Sequence, residues 1–293
     1  MKRALTLLLG LGLWGCDDPL KPVELVDEPR VLGARVEVTD EPERAAPAPG
    51  ENATVRFLLA TPERAPSLGF ALAACPAVVR NGARSACDGE PFAAIVSNDG
   101  DAAEAALSFD VPTSLDPAGR VAVLGILCPH GSPSRDGTAC DGAAPGTPVQ
   151  LELELARDGD VNQNPELQPD SLSFDDQPWP ELAAPSGDCA GAGFVEAAAG
   201  SKHTLRVALD ESDRDPLPRK SDLDPERESL QLSEFVSAGD LTRAFQTIAW
   251  NSSELTRSVE WTAPNEAGLV RVWLVLRDFR GGGAFVERAV CVR

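Results

Sequence analysis

The stretch PVQLELELA places Val149, Leu151, Leu153 and Leu155 at every second position, with Gln150, Glu152 and Glu154 between them. A β-strand turns successive side chains to opposite faces, so this spacing fits a half-buried strand and no helix. The same period recurs along most of the chain. Leu32, Ala34, Val36 and Val38 alternate in VLGARVEV, and Val55, Phe57 and Leu59 do so after the turn PAPGENA. LGFALAAC, ALSFDV and RVAVLGILC follow; the last is apolar on both faces and is expected centrally in a sheet. Short runs of this kind, punctuated by Gly and Pro, are the signal of a Greek-key β-sandwich.

The pattern breaks at RDGDVNQNPELQPDS, and a polar linker is expected over 158–180. Strand signals resume in AGFVEAAA, KHTLRVALD, SVEWTAP, LVRVWLVLRD and AFVERAVCV, with RDFRGGGAF as the turn of a closing hairpin. Between them DESDRDPLPRKSDLDPERES reads as a solvated loop, and LQLSEFVSAGDLTRAFQTIAW leaves room for one short helix. The expected fold is therefore all-β, with one sandwich over 30–157 and a second over 181–293.

The phrases VEWTAPNEAG and VRVWLVLRDFRGGGAFVERAV resemble the closing strands of bacterial immunoglobulin-like and PKD-like domains. PRVLGARVEVTDEPERAAPAPGENATVRFLLA is similar to the opening strands of such domains, with Pro49-Gly50-Glu51 as their turn. The resemblance implies two tandem immunoglobulin-like β-sandwiches and nothing about activity.

At the N-terminus, Lys2 and Arg3 precede an apolar segment, Ala4 to Trp14, far shorter than the ~20 residues that span a bilayer. Its end, Leu13-Trp14-Gly15-Cys16, resembles the lipobox of bacterial lipoproteins, with the bulky Trp14 where that family has a small residue. The resemblance implies a signal peptide over 1–15, a palmitate-bearing Cys16 and a lipidated stalk over 16–29. It places the protein in the bacterial cell envelope, anchored to a membrane by lipid. Asp17 resembles an inner-membrane retention signal of enteric bacteria, but lineages sort differently, and the outer membrane is slightly favoured.

Net charge is −20, and loss of Lys2 and Arg3 with the leader would take it to −22. So acidic a surface repels phosphate backbones, which excludes nucleic acid as a partner. Beyond Cys16 six cysteines remain, an even number that reads as three disulfides in an oxidising compartment. If the domains fold separately, Cys189 must pair with Cys291. Cys75 with Cys87 and Cys128 with Cys140 each bracket a Gly-containing polar loop; Cys75 with Cys128 and Cys87 with Cys140 is the alternative.

Few residues suggest chemistry. His130 follows Cys128-Pro129 in a loop, and His203 shares the parity of Leu205, Val207 and Leu209, which makes it structural. Neither carries a nucleophile or metalloprotease motif, so no catalytic residue is assigned and no enzyme is expected. DGDVNQNP offers alternate oxygen ligands in Asp158, Asp160, Asn162 and Asn164, in outline the interdomain calcium motif of cadherins without its middle acidic residue. With Val270, Val272, Leu274 and Leu276 turned to the core, Trp273 faces outward beside Arg271 and Arg277 as a binding face. The reverse parity would put Trp273 in the core. The expected function is a non-enzymatic binding or spacer module for an unknown envelope protein or glycan, with no cofactor. A calcium-stiffened adhesion-like protein is the alternative, and a hydrolase a distant third.

Overall fold

The computed structural model describes residues 21–63, 68–78, 86–98, 104–129, 131–141, 145–157, 162–181, 189, 193–217 and 224–293. Its first half contains β1 (Arg30–Val38), β2 (Asn52–Ala60), β3 (Gly69–Val78), β4 (Ala86–Cys87), β5 (Ala93–Ser97), β6 (Ala105–Asp110), β7 (Arg120–Cys128) and β8 (Thr147–Glu154). One sheet has the order β1-β2-β6; the other is β4-β3-β7-β8, with β5 also paired to β3. Val36, Val55, Phe57, Leu107, Phe109, Val123 and Leu153 meet between them as a single core. The chain alternates because each sheet buries one face.

β7 lies between β3 and β8, which explains its double apolar character. Its inner face enters the core. The outer residues Ile126 and Cys128 are covered, with Ala71, by the loop that the Cys128–Cys140 disulfide closes. Gly125 is required here, because a Cβ would stand 2.0 Å from the Ala71 carbonyl oxygen.

The second half holds β9 (Leu172–Phe174), β10 (Gln177–Pro178), β11 (Val195–Ala197), β12 (Lys202–Ala208), β13 (Leu230–Val236), β14 (Asp240–Leu241), β15 (Phe245–Ile248), β16 (Thr256–Thr262), β17 (Gly268–Arg277) and β18 (Gly283–Val292). They form the sheets β10-β9-β12-β16-β14 and β11-β18-β17-β13-β15. Their core contains Trp179, Leu205, Leu232, Val259, Trp261, Val272, Leu274 and Val290. The fold is thus all-β, and β17–β18 is the closing hairpin, paired from Gly268–Val292 to Arg277–Gly283. The disulfides are Cys75–Cys87, Cys128–Cys140 and Cys189–Cys291.

Four expectations need correction. Within the stretch read as linker, β9 and β10 join the second sandwich and Trp179 is 2% exposed; the three apolar residues Leu172, Phe174 and Trp179 were hidden among Asp, Gln and Pro. The end of the expected stalk is docked: Val26 N–H donates to the Val236 carbonyl at 2.8 Å, and Val26 is fully buried. No helix forms over 230–250, where Leu230, Leu232 and Val236 keep a period of two and face the core in β13. The charged insert is not all solvated, since Arg214, Asp215 and Glu228 are buried. Arg214 Nη1 donates to the carbonyls of Ala249 and Trp250 at 3.0 and 3.1 Å.

The two sandwiches share a buried seam. On β17 the residues Val270, Val272, Leu274 and Leu276 point into the second core, and Trp273 and Val275 point the other way. That second face is covered by Val26, Leu32 and Ala60 of the first half, leaving Trp273 with no exposed surface. Its indole N–H has no partner there. Truncation of a buried aromatic costs about 3–5 kcal/mol, so Trp273→Ala is expected to loosen the seam and split thermal unfolding into two transitions. Trp273→Phe, which removes the unpaired N–H while keeping a ring, should retain one. Calorimetry of both variants checks this.

One buried carboxyl faces the second core. Glu234, on the inward parity of β13, is 2% exposed; Gln246 Nε2 donates to its Oε1 at 2.9 Å, and its Oε2 has no partner. Burial pushes its pKa up to about 7. A carboxyl raised in the folded state holds its proton longer than in the unfolded chain. Its contribution is therefore full below about pH 4.5 and is lost as pH rises to about 7. Glu234→Gln is expected to remove this loss, stabilising the protein at pH 8 by up to ~3 kcal/mol and hardly at pH 4.5. Urea unfolding at the two pH values is the measurement.

Candidate functional site

The residues expected to form a binding face all turn to the seam. Arg271 binds Glu287 through Nε and Nη2 at 2.6 and 2.8 Å, donates Nη1 to the Thr61 carbonyl at 2.9 Å, and lies 5.0 Å from the Trp273 ring. Trp273 is an anchor, but what it anchors is the first sandwich. Arg277 also crosses the seam, donating Nη2 to the Leu32 carbonyl. Arg35 answers from the other side, with Nη1 donating to the Gly283 carbonyl at 3.2 Å.

Of the four suggested calcium ligands, Asn162 and Asn164 are among the described residues. Asp158 and Asp160 lie outside the described residues. Asn164 is a seam bracket: its Nδ2 donates to the Val36 carbonyl at 2.6 Å, and its Oδ1 accepts from Gly283 N–H at 3.0 Å. Its oxygen is therefore engaged. Asn162 is buried, with its side chain beside the Asp278 carboxylate. Among the described residues no group of three His, Cys, Asp or Glu side chains is arranged to hold a metal ion.

One constellation escaped the sequence reading. Asp175 and Asp176 have φ of 49° and 65° in the two-residue turn between β9 and β10, the left-handed pair that a tight hairpin requires. The turn aims Asp175 at β12. Its Oδ2 lies 2.7 Å from His203 Nδ1, its Oδ1 accepts from Thr204 N–H at 2.8 Å, and His203 Nε2 lies 2.6 Å from Ser201 Oγ. The connectivity is that of a Ser-His-Asp triad, yet the nearby donors are engaged otherwise. Ser201 Oγ lies 2.5 Å from the Ala198 carbonyl as well as 2.6 Å from His203 Nε2, so a carbonyl competes with the imidazole for its one proton. Ser201 N–H also goes to Ala198, at 3.1 Å, and Gly200 N–H to Pro264, at 3.2 Å, which removes the donors an oxyanion would need. With His203 stacked on Phe174 at 4.8 Å, the set is a bracket that ties the hairpin turn to β12. The sequence signal was the Asp-Asp pair followed by Gln-Pro. His130 lies outside the described residues.

One concave feature at the seam is a cleft of about 430 Å³ between the halves. Val31, Leu32, Gly33 and Ala34 of β1, Phe57 of β2 and Gln150 and Leu151 of β8 form one wall, and the β17–β18 turn from Arg277 to Gly282 forms the other. The turn is held rigid from below. Asp278, 1% exposed, accepts from the N–H groups of Arg280 at 2.7 Å and Gly282 at 2.9 Å. Arg280 reaches down to Glu228 at 2.5 Å. Burial beside Asp278 and Asp215 pushes the Glu228 carboxyl up to about 7, against the pull of Arg280. Phe279 stands at the tip, with φ of 64° and 63% of its surface exposed.

No protein-family model matches the chain, and no curated protein matches it. Solved structures resemble it at low identity. A trypsin-activated alpha-2-macroglobulin from Escherichia coli is 11% identical, with 90% of this chain and 18% of that one covered, at a TM-score of 0.26. The adhesin InvE of Yersinia pseudotuberculosis is 11% identical over 88% of this chain and 58% of its own, at 0.21. A glycosyl hydrolase family 2 member from Bacteroides cellulosilyticus is 9% identical over 89% and 29%, at 0.22. The chain spans about a fifth of the macroglobulin's length. Such scores carry no argument about activity, and the β-sandwich assignment rests on the strand pairing above.

Proposed function

We propose that this protein is a non-enzymatic, lipid-anchored module of a bacterial cell envelope that holds a rigid two-sandwich body near the membrane and binds another envelope component. The observation that carries the reading is the cysteine arrangement. Of seven cysteines six are joined in three intrachain disulfides, which leaves Cys16, at the end of the apolar leader, as the one thiol for an acyl chain. Two or three acyl chains anchor stably where one does not. The docking of Val26 on β13 sets the reach. Ten residues separate Val26 from Cys16 in sequence, and an extended chain covers at most ~3.6 Å per residue. The body would therefore sit within roughly 35 Å of its lipid, closer than a free stalk over 16–29 would hold it. The acidic surface favours repulsion from anionic headgroups, which keeps a tethered body off the bilayer. The outer membrane is slightly favoured as the site of attachment. The partner is an envelope protein or glycan.

Replacement of Cys16 by Ala is expected to abolish incorporation of labelled palmitate and to release the protein from the membrane fraction. Continued labelling of the variant would sink the anchor assignment. Crosslinking of the lipidated protein in its own envelope, followed by identification of what is captured, tests the binding half of the reading.

A further inference from the structure

We propose that the cleft between the two sandwiches binds a monoanionic carboxylate carrying an apolar body, with the Arg277 guanidinium holding the carboxylate; this rests on the binding-module reading and names what its cleft would take. Four observations converge on it. The volume, about 430 Å³, falls within the ~300–1,000 Å³ of small-molecule clefts. Most of the wall is apolar: Val31, Leu32, Ala34, Phe57 and Leu151 face the turn across the gap. Phe279, on a turn that Asp278 fixes, keeps a largely exposed ring at the rim. The fourth observation is Arg277 itself. Half-buried, it makes one hydrogen bond, to the Leu32 carbonyl, and among the described residues no carboxylate pairs with it. Burial alone shifts its pKa, downward.

Elsewhere the chain pairs its arginines with care. Arg271 has Glu287, Arg280 has Glu228, Arg120 has Glu152 and Glu154, and Arg44 has Glu51. In a protein with twenty more carboxylates than cations, Arg277 joins Arg30 and Arg288 as desolvated guanidiniums that no carboxylate pairs with among the described residues, and of the three it is the one that lines the cleft. A guanidinium has five N–H donors in a planar fork, and one carbonyl leaves enough for a bidentate carboxylate. The charge count also limits the guest. One cation beside the buried Asp278, in a strongly acidic molecule, suits a single negative charge and disfavours a phosphate. Two sources share the chemistry: a free acyl carboxylate and the C-terminus of an apolar peptide.

The test is calorimetric titration of the full chain carrying Cys16→Ser, which avoids detergent, with two pairs of probes. Decanoate is compared with decanamide, and the tripeptide Leu-Val-Phe with its C-terminal amide. We expect saturable one-site binding of at least one carboxylate, at least tenfold weaker binding of its amide, and at least tenfold weaker binding to Arg277→Gln. Gln150→Trp, at an exposed position on the cleft wall, should block the cleft, and with its fold checked by circular dichroism it decides the matter alone if Arg277→Gln fails to fold. Whichever probe binds assigns the source. Binding of neither carboxylate, equal binding of the amides, or undiminished binding to the folded variants would overturn the proposal. Capture of an envelope partner together with no carboxylate binding would sink this inference and leave the binding module standing.

Discussion

The arrangement of the whole molecule depends on β17 being buried on both faces. A strand at the surface of a lone sandwich alternates apolar and polar residues, whereas VRVWLVL offers Val270, Val272 and Leu274 to one core and Trp273 and Val275 to another surface. With both faces covered, the strand reads as a near-continuous hydrophobic run. The cover is β1 with the segment before it, so the first sandwich takes its orientation from Trp273 and from the arginines beside it. Arg271 and Arg277 donate to the carbonyls of Thr61 and Leu32, which lie near one end of the β1–β2 pair, on its two strands' sides. Apolar contact fills the seam, and these directional bonds set its register.

How much of this was legible follows from which interactions leave a local trace. Parity along β8 and β17 did so, because the period of two is written in adjacent residues. Of the two parities the pattern allows for Trp273, the one opposite to the second core holds, and yet the side chain is buried. Period tells which face a side chain takes and is silent on what lies against that face. Trp179 shows the reverse failure: its strand partners Leu172 and Phe174 sit in a run of polar residues too short for a pattern. Asn164, read as a calcium ligand from its spacing, is a bracket between Val36 and Gly283, residues more than a hundred positions away on either side. The spacing of alternate oxygens is the same in both roles. The pairing of Asp175 with His203 could not be read at all, since it needs a left-handed turn that two aspartates only permit.

The acidic balance takes on a different meaning once the arginines are located. Most of the carboxylates lie at the surface, where charge maintains solubility and an isolated pair is worth about 0–1 kcal/mol. The structural positions went to arginine: Arg35, Arg271 and Arg277 across the seam and Arg214 beneath the charged insert. Each donates to backbone carbonyls, which a planar five-donor group can do at several angles and an ammonium cannot match. Arg214 explains why an insert rich in Asp, Glu and Pro has buried members. Its guanidinium closes over the carbonyls of Ala249 and Trp250, and a substitution by Lys would leave one of them unanswered.

The disulfides follow the same division between sandwich and seam. Cys75–Cys87 and Cys128–Cys140 each close loops of 12 residues inside the first sandwich, and Cys189–Cys291 spans 102 residues within the second. In the chain-entropy account a ~15-residue loop contributes about 3 kcal/mol and a ~100-residue loop about 4.7. The long bridge thus constrains the second half most, and that half carries β17 and the surface on which the first half rests. None of the three bridges crosses the seam. Reduction would accordingly weaken each sandwich from within and leave the contacts of Trp273, Arg271, Arg277, Arg35, Asn164 and Val26 across the seam untouched. Under oxidising conditions every bridge can close before the two halves meet, because each bridge joins residues of one sandwich. Docking is then free to follow as the step in which β17 loses its second exposed face.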